Sequence, residues 1–142
     1  MKAYLTRRYI FSASHRLHSD QMSEEQNRAV YGKCNNQYGH GHNYALEVTV
    51  SGQVDEGTGM ICNLSDLDGT VRKEIVERFD HVNLNMCDEF RSVVPTTENL
   101  SAAIFQILKQ SFGAAHLERV RLEETLMNSF EYAGNERLAI GT

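Results

Sequence analysis

The sequence has one proline and only three cysteines, and each scarcity excludes a class of protein. A chain with a single proline among 142 residues is not a proline-rich linker or a disordered array. Cys34, Cys62 and Cys87 are odd in number and unevenly spaced, unlike the disulfide framework of a small secreted protein. We therefore expect free thiols in a reducing cytoplasm.

Long apolar runs and clustered positive charge are also lacking. Residues 1–8 contain no apolar segment of the kind that a signal peptide needs, and no later run is long enough to span a membrane. The net charge of −5 argues against a nonspecific nucleic-acid binder, because affinity for phosphate backbones comes from clustered lysine and arginine. Length and a hydrophobic content of 41% predict one domain, 1–142, with a core of its own.

Hydrophobic periodicity predicts an α+β fold. Alternation predicts strands over 3–14, 43–54, 119–125 and 130–133, and helical spacing predicts long helices from Asn63 to about Asp80 and from Thr96 or Thr97 to Gly113. A short helix is expected near 24–30, and residues 60–62 are expected to return as a strand after a turn at 55–59. We expect an antiparallel sheet with two long helices on one face, and its half-polar strands predict a second face that is wet or covered by a partner.

Two histidines alternate with glycines in the segment Gly39-His40-Gly41-His42. In extended backbone, residues two apart point to the same side, so His40 and His42 present their imidazoles to one point. The glycines let backbone and ligand approach closely. His42 is also in phase with the apolar alternation of 43–54, which predicts that it faces the core.

His15 is the third histidine of this set. It is in phase with Tyr9, Phe11 and Ala13 and therefore faces inward as well. Three neutral imidazoles with an open fourth position are the ligand pattern of catalytic zinc. The alternative is that these are core or loop histidines with ordinary hydrogen-bond partners, and the spacing by itself leaves both interpretations open.

Cys34 lies six residues before His40, in the same polar segment. A thiolate there can act as a base or nucleophile, since a nearby metal or imidazole lowers the pKa of a thiol. The position fits equally well a fourth ligand in a closed, structural zinc site, or an inert thiol. Cys62 and Cys87 have no such neighbours, and we expect ordinary thiols there.

Two carboxylates complete the candidate set. Asp80 precedes His81 just past the first long helix, where a carboxylate can fix the tautomer of an imidazole; a surface pair near a helix C-terminus is the alternative. Glu124 continues the inward face of Val120 and Leu122, and an inward carboxylate is costly without a partner. That partner is either a ligand with adjacent N–H donors or an arginine in a salt bridge.

Several short motifs follow one another in an order that covers nearly the whole chain. They are Phe11-Ser12-Ala13-Ser14-His15-Arg16-Leu17, Gly32-Lys33-Cys34-Asn35-Asn36, Gly39-His40-Gly41-His42-Asn43-Tyr44, Thr58-Gly59-Met60, Asn63-Leu64, Asp80-His81-Val82-Asn83-Leu84, Thr96-Thr97-Glu98-Asn99 and Glu124-Thr125. With these motifs in this order, the chain strongly resembles the 6-pyruvoyl-tetrahydropterin synthase family. Gln37-Tyr38 departs from the Pro-Asn often found at that point of the family.

The resemblance implies a T-fold, in which subunits join antiparallel sheets into a barrel. It also implies a homohexamer of two trimers, with active sites between subunits, so that Cys34 and His81 of one site can come from different chains. The family places one zinc ion per subunit on the three histidines, which here are His15, His40 and His42.

The resemblance further implies a role for each remaining candidate. Cys34 would be the proton-transfer base, aided by Asp80 and His81. The anchor of the pterin ring would be Glu124, helped by the pair Thr96 and Thr97.

The implied reaction converts 7,8-dihydroneopterin triphosphate to 6-pyruvoyl-tetrahydropterin with release of triphosphate, in tetrahydrobiopterin biosynthesis. Zinc would act as a Lewis acid on the side-chain hydroxyls, while Cys34 removes the adjacent proton and His81 assists. Magnesium is compatible with the triphosphate, for which Arg16 and Lys33 are the basic candidates.

Two other functions compete with this one. The 6-carboxytetrahydropterin synthases of the queuosine pathway share the fold and zinc site but typically place three residues between the cysteine and the His-Gly-His. Five intervene between Cys34 and His40, as in the pyruvoyl enzymes, and the chain retains the cysteine that a folate-linked group typically lacks. The competitor from another class is a non-catalytic, zinc-stabilised binding module with Cys34 as the fourth ligand.

Overall fold

The chain forms a five-stranded sheet with helices, seen in a computed structural model that describes residues 1–112 and 115–134. The strands are β1 (Lys2–His15), β2 (His40–Gln53), β3 (Val82–Asn83), β4 (His116–Thr125) and β5 (Asn128–Tyr132). The helices are α1 (Glu24–Tyr31), α2 (Leu64–Val71), α3 (Glu77–Phe79) and α4 (Thr97–Ser111), and a π-helical turn, Arg72–Val76, joins α2 to α3. The predicted α+β class is confirmed, and each predicted helix and main strand is present.

The sheet has the order β3-β1-β2-β4-β5. At its centre, β1 and β2 form a long antiparallel ladder that runs from the pair Lys2↔Gln53 to the pair His15↔His40. The predicted antiparallel pairing is confirmed for β1, β2, β4 and β5, and at one edge the short β3 adds a parallel pairing with Ala13 and Ser14 of β1. A strand of two residues carries no periodicity, so no sequence pattern indicates it.

One face of the sheet is apolar and covered by the two long helical segments. Leu46 and Val120 are fully buried against Ile75 and Ile104 from these segments, in one continuous core. The opposite face carries polar pairs such as the hydroxyls of Thr6 and Thr49, 2.7 Å apart, together with a network of arginine and glutamate side chains. The predicted half-polar sheet is therefore confirmed for the single chain.

Side-chain caps begin both long helical segments. Asn63 accepts hydrogen bonds from the Ser65 and Asp66 amides at 2.9 and 3.2 Å, and Thr96 accepts one from Asn99 at 3.2 Å. The first segment ends at Phe79, as expected. The second ends at Ser111, while the predicted stop residue, Gly113, lies outside the described residues.

The predicted strand at 60–62 is wrong. Both edges of β2 are already occupied, by β1 and by β4, so the returning chain has no strand of this sheet to pair with there. The turn instead closes on itself: the Gly59 amide donates to the Asp55 carbonyl at 2.7 Å, and the Asp55 amide to the Met60 carbonyl at 2.9 Å. The chain then enters α2 directly.

The structure also bears on the expected state of the cysteines and on membrane-spanning helices. Cys62 and Cys87 are free thiols, as predicted, and so is Cys34. Across the described ranges, no helix combines the length and the apolar character that crossing a membrane requires.

Candidate metal and catalytic site

The three candidate histidines meet at one end of the β1–β2 ladder, on its inner face. His15 and His40 form the last cross-strand pair, and His42 pairs with Ala13 two positions away, so all three project to the same side. Ring centroids lie 4.7 Å apart for His15 and His40, 5.0 Å for His15 and His42, and 4.7 Å for His40 and His42. One ring nitrogen of each lies within 4.8 Å of the others, which confirms the predicted convergence.

A carbonyl behind His15 fixes the tautomer of this ring. His15 is 1% exposed, and its Nδ1 lies 2.8 Å from the carbonyl oxygen of Pro95. Because a carbonyl only accepts, the proton belongs on Nδ1, and the lone pair of Nε2 faces the cluster, 3.1 Å from Nε2 of His40. Burial lowers the pKa of His15, which favours the neutral ring. Such an orienting second hydrogen bond is typical of metal-binding histidines.

The donor set also passes a direct test of fit to zinc. Among the described residues, Nε2 of His42 is the buried side-chain nitrogen or oxygen without a hydrogen-bond partner, and burial lowers the pKa of this ring as well. Tetrahedral zinc with Zn–N distances of about 2.0–2.1 Å sets two ligand nitrogens about 3.4 Å apart. The observed 3.1 Å between the His15 and His40 nitrogens is close to that separation. The three imidazoles therefore suit a zinc ion.

Glu124 points inward beside this cluster, as its place in the alternation predicts. Its Oε2 lies 3.8 Å from Nε2 of His42 and 4.0 Å from Nε2 of His15, and the Thr97 hydroxyl donates a short hydrogen bond to the same oxygen. The Asn128 amide donates to Oε1 at a long 3.4 Å. The alternative of an arginine salt bridge is not observed within the described ranges, so the carboxylate keeps acceptor capacity for a ligand.

Cys34 lies in a 3₁₀ turn, Gly32–Asn35, on the wall of a cleft of about 990 Å³. His40, Arg16 and Lys33 line the same cleft. Burial, and then the charge of Glu124, raises the pKa of the half-buried Cys34 thiol. In the part of the chain that the structure describes, the metal-capable group comprises the three histidines without Cys34, so the geometry does not favour a closed four-ligand site.

Asp80 and His81 form a pair at the edge of β1. Asp80 Oδ2 lies 2.9 Å from Nδ1 of His81, and Oδ1 accepts the Ser12 amide at 2.8 Å, which lowers the pKa of Asp80. The two neighbours face each other because His81 has a left-handed backbone, with φ of +60°. Its side chain is 82% exposed, and within the described ranges no hydrogen bond or ion pair links it to Cys34 or to the three histidines.

Three residues near the site were not assigned a role from sequence. Pro95, the only proline of the chain, supplies the carbonyl behind His15 from just before α4. Tyr44 is fully buried, with its hydroxyl 3.5 Å from Nδ1 of His15; its in-phase position two residues after His42 is the signal that could have indicated it. The third is Asn35, whose buried amide contacts the segment after His15. The predicted substrate-binding residue Thr96 caps α4, and its role toward a substrate stays a prediction.

Comparisons with known proteins agree along nearly the whole chain. Residues 4–135 match the family model described as 6-pyruvoyl tetrahydropterin synthase. The 6-pyruvoyl tetrahydrobiopterin synthase of Poecilia reticulata is 47% identical over 132 residues, covering 92% of this chain and 90% of that protein. The human protein of that name is 44% identical over 134 residues, covering 94% and 92%. The solved structure of Caenorhabditis elegans 6-pyruvoyl tetrahydropterin synthase superposes with a TM-score of 0.91 at 37% identity, covering 95% and 97% of the two chains, and confirms the predicted T-fold.

Proposed function

The chain belongs to the 6-pyruvoyl tetrahydropterin synthase family, and we propose that it converts 7,8-dihydroneopterin triphosphate to 6-pyruvoyl-tetrahydropterin with release of triphosphate. The observation that carries this proposal is the convergence of three histidines beside Cys34 and Glu124. We further propose that the enzyme acts in tetrahydrobiopterin biosynthesis in the cytoplasm, where the three free thiols would stay reduced.

The histidine cluster would hold one zinc ion per subunit. His15, His40 and His42 are the proposed ligands, supported by the unpartnered Nε2 of His42 and by the tautomer that Pro95 imposes on His15. When bound, zinc would supply Lewis-acid chemistry that acidifies the C–H next to the side-chain hydroxyls of the substrate.

Cys34 is the proposed base that removes this proton. In the isolated chain, burial and Glu124 raise the pKa of its thiol, so the thiolate needs positive charge nearby. A cation in the histidine cluster would supply that charge across the shared cleft. Arg16 and Lys33 line the same cleft and are the proposed contacts of the triphosphate.

Glu124 is the proposed anchor of the pterin ring. The Thr97 hydroxyl and the long contact from Asn128 orient the carboxylate without using all of its lone pairs. The remaining lone pairs can accept two adjacent N–H donors of a pterin ring. Thr96 would contribute by capping α4 and so fixing the position of Thr97.

The third element of the proposed proton transfer, the pair Asp80 and His81, would come from a neighbouring subunit of a homohexamer. The exposure of the His81 side chain and the absence of a hydrogen bond between it and Cys34, both described residues, support a shared site. So do Leu126 and Met127, which are 94% and 92% exposed at the β4–β5 turn beside Glu124, where a second subunit could cover them.

Mixing two inactive variants tests the shared site. Co-refolded Cys34→Ala and His81→Ala chains should recover activity, because some sites then combine Cys34 from one chain with His81 from the other. Each variant alone is the control. If the mixture is no more active than each variant refolded alone, both residues act within one chain.

Product identification tests the function itself. The zinc-loaded protein is incubated with 7,8-dihydroneopterin triphosphate, and the pterins and phosphates are separated by chromatography and mass spectrometry. We expect triphosphate and a 6-pyruvoyl pterin. A 6-carboxy product would assign the chain to the queuosine-type activity, and the absence of both triphosphate release and any change at C6 would favour a non-catalytic binding module.

A further inference from the structure

The turn that carries Cys34 is tied to the segment that directly follows His15. The Leu17 amide donates to the Cys34 carbonyl at 2.8 Å, and Nε of Arg16 donates to the Asn35 carbonyl at 3.2 Å. These bonds join the turn Gly32–Asn35 to the chain just beyond the last residue of β1. The position of the thiol relative to the histidine cluster therefore depends on how firmly the turn is held there.

Asn35 holds this junction with its side chain. It is the buried residue of the turn, and its Nδ2 donates to the Leu17 carbonyl at 2.7 Å and to Nδ1 of His18 at 3.0 Å. The Leu17 carbonyl can only accept, which fixes the orientation of the amide. Nδ1 of His18 must then be the accepting nitrogen of that ring. A single amide thus spans two groups of the segment that follows His15.

We propose that Asn35 is a positioning residue, which sets the place of the Cys34 thiol in the cleft it shares with His40 by linking its turn to the segment after His15. The inference rests on the proposed role of Cys34 as the base. Geometric placement of a reacting group matters steeply for rate, since a shift of about 1 Å can cost about 10²-fold. Asn35 lines the same cleft as Cys34, but its amide is bonded to Leu17 and His18, so its removal should lower kcat more than it raises KM.

The matched comparison uses two buried asparagines. Asn27 is fully buried, and its Nδ2 donates to the carbonyls of Ser19, Met22 and Ser23, so it holds a neighbouring loop without touching the turn of Cys34. Asn35→Ala and Asn27→Ala each remove a buried side-chain amide that donates to backbone carbonyls, and neither adds charge. Both should lower the melting temperature, but only Asn35→Ala should lower kcat, by about 10- to 100-fold, with KM within about twofold and full zinc content.

A second measurement does not require turnover. Iodoacetamide alkylation of Cys34 in the zinc-free protein, followed by peptide mass spectrometry, should be several-fold faster in Asn35→Ala, because the loosened turn exposes a half-buried thiol and no metal charge opposes the effect. Cys62 and Cys87 in the same samples are internal references. If the wild type makes no pterin product, the proposed function fails, while the alkylation rates still decide the role of Asn35.

His18→Leu covers the case in which Asn35→Ala does not fold. It removes one acceptor of the Asn35 amide and keeps the bond to Leu17, so kcat should also fall, but by less than in Asn35→Ala. Equal kcat and equal Cys34 alkylation in the Asn35, Asn27 and His18 variants would overturn the proposal. So would a fall in kcat that is fully accounted for by lost zinc.

Discussion

The middle of the β1–β2 ladder, its core region, and the histidine end of the same ladder treat their polar groups in opposite ways. In the core region, Tyr9 lies opposite Leu46, and its hydroxyl donates to Asp68 at 2.7 Å, so this buried polar group is satisfied. At the histidine end, His15 lies opposite His40, and the neighbouring His42 keeps a buried Nε2 without a partner. One alternation of residues thus produces a closed core and an open, nitrogen-lined site.

The difference separates stability from chemistry along one ladder. Buried polar groups in folded proteins are nearly always paired, so a nitrogen left unpaired is a mark of a ligand site. The core region should therefore determine the free energy of unfolding, and the histidine end should determine metal binding and the rate of the reaction. Substitutions in one of these regions should leave the property determined by the other unchanged.

The largest effect is expected from His40→Ala. Loss of one of three imidazoles should reduce zinc from about one ion per chain to near zero and lower activity by at least about 10³-fold, since Lewis-acid stabilisation is worth several kcal/mol. Zinc is measured by elemental analysis after gel filtration. His116→Ala is the control, because that histidine side chain is 74% exposed on β4. Equal zinc in the two variants would contradict the metal assignment.

Leu46→Ala tests the core region of the ladder. The side chain is fully buried opposite Tyr9, and its truncation should lower the free energy of unfolding by about 2–5 kcal/mol, through lost burial and the cavity left behind. Urea unfolding of the zinc-free protein measures the change. Zinc bound per folded chain should remain that of the wild type. A parallel loss of zinc would show that metal binding at the histidine end depends on packing in the core region.

Two glycines that flank His40 sharpen the comparison within the histidine end itself. Gly39 has φ of +75°, and a Cβ there would lie 2.8 Å from the His15 carbonyl oxygen, whereas a Cβ at Gly41 would meet nothing closer than the Ala13 carbonyl at 3.7 Å. Gly39→Ala should cost about 1–3 kcal/mol of stability and weaken zinc binding. Gly41→Ala should melt near the wild type, and similar melting temperatures for both variants would refute this account.

The smallest effect concerns how the stability of the core region depends on pH. Hydrogen bonds from Arg7 and then Tyr9 lower the pKa of Asp68, so this carboxylate stabilises the fold above the pKa it has in the unfolded chain, and the contribution is lost as pH falls through its folded value. Asp68→Asn should therefore be less stable than the wild type at neutral pH, with the difference shrinking toward acid. Thermal melts from pH 7 down to pH 3 test it, and a constant difference would count against it.

Sequence patterns predict this molecule best where many residues share one rule. The alternation of β1 and β2 extends over long strands, so it placed His15 and His42 on the inner face, and the same rule aimed Glu124 inward. Residues 60–62 were misassigned because pairing depends on which edges of β2 are free, a property of the assembled sheet. The Pro95 carbonyl and the contact of Asp80 with Ser12 join distant segments through the backbone, which no side-chain pattern encodes.

Cys34→Ala tests the central claim, that the histidine end is a catalytic rather than a structural site. Zinc content, melting temperature and turnover of 7,8-dihydroneopterin triphosphate are measured on the same preparation of the variant and of the wild type. The account predicts unchanged zinc and a near-native melting temperature, with activity lower by about 10²–10⁴-fold, the range for loss of a positioned base. Loss of zinc together with unfolding would contradict it, because Cys34 would then be a ligand that closes a structural site.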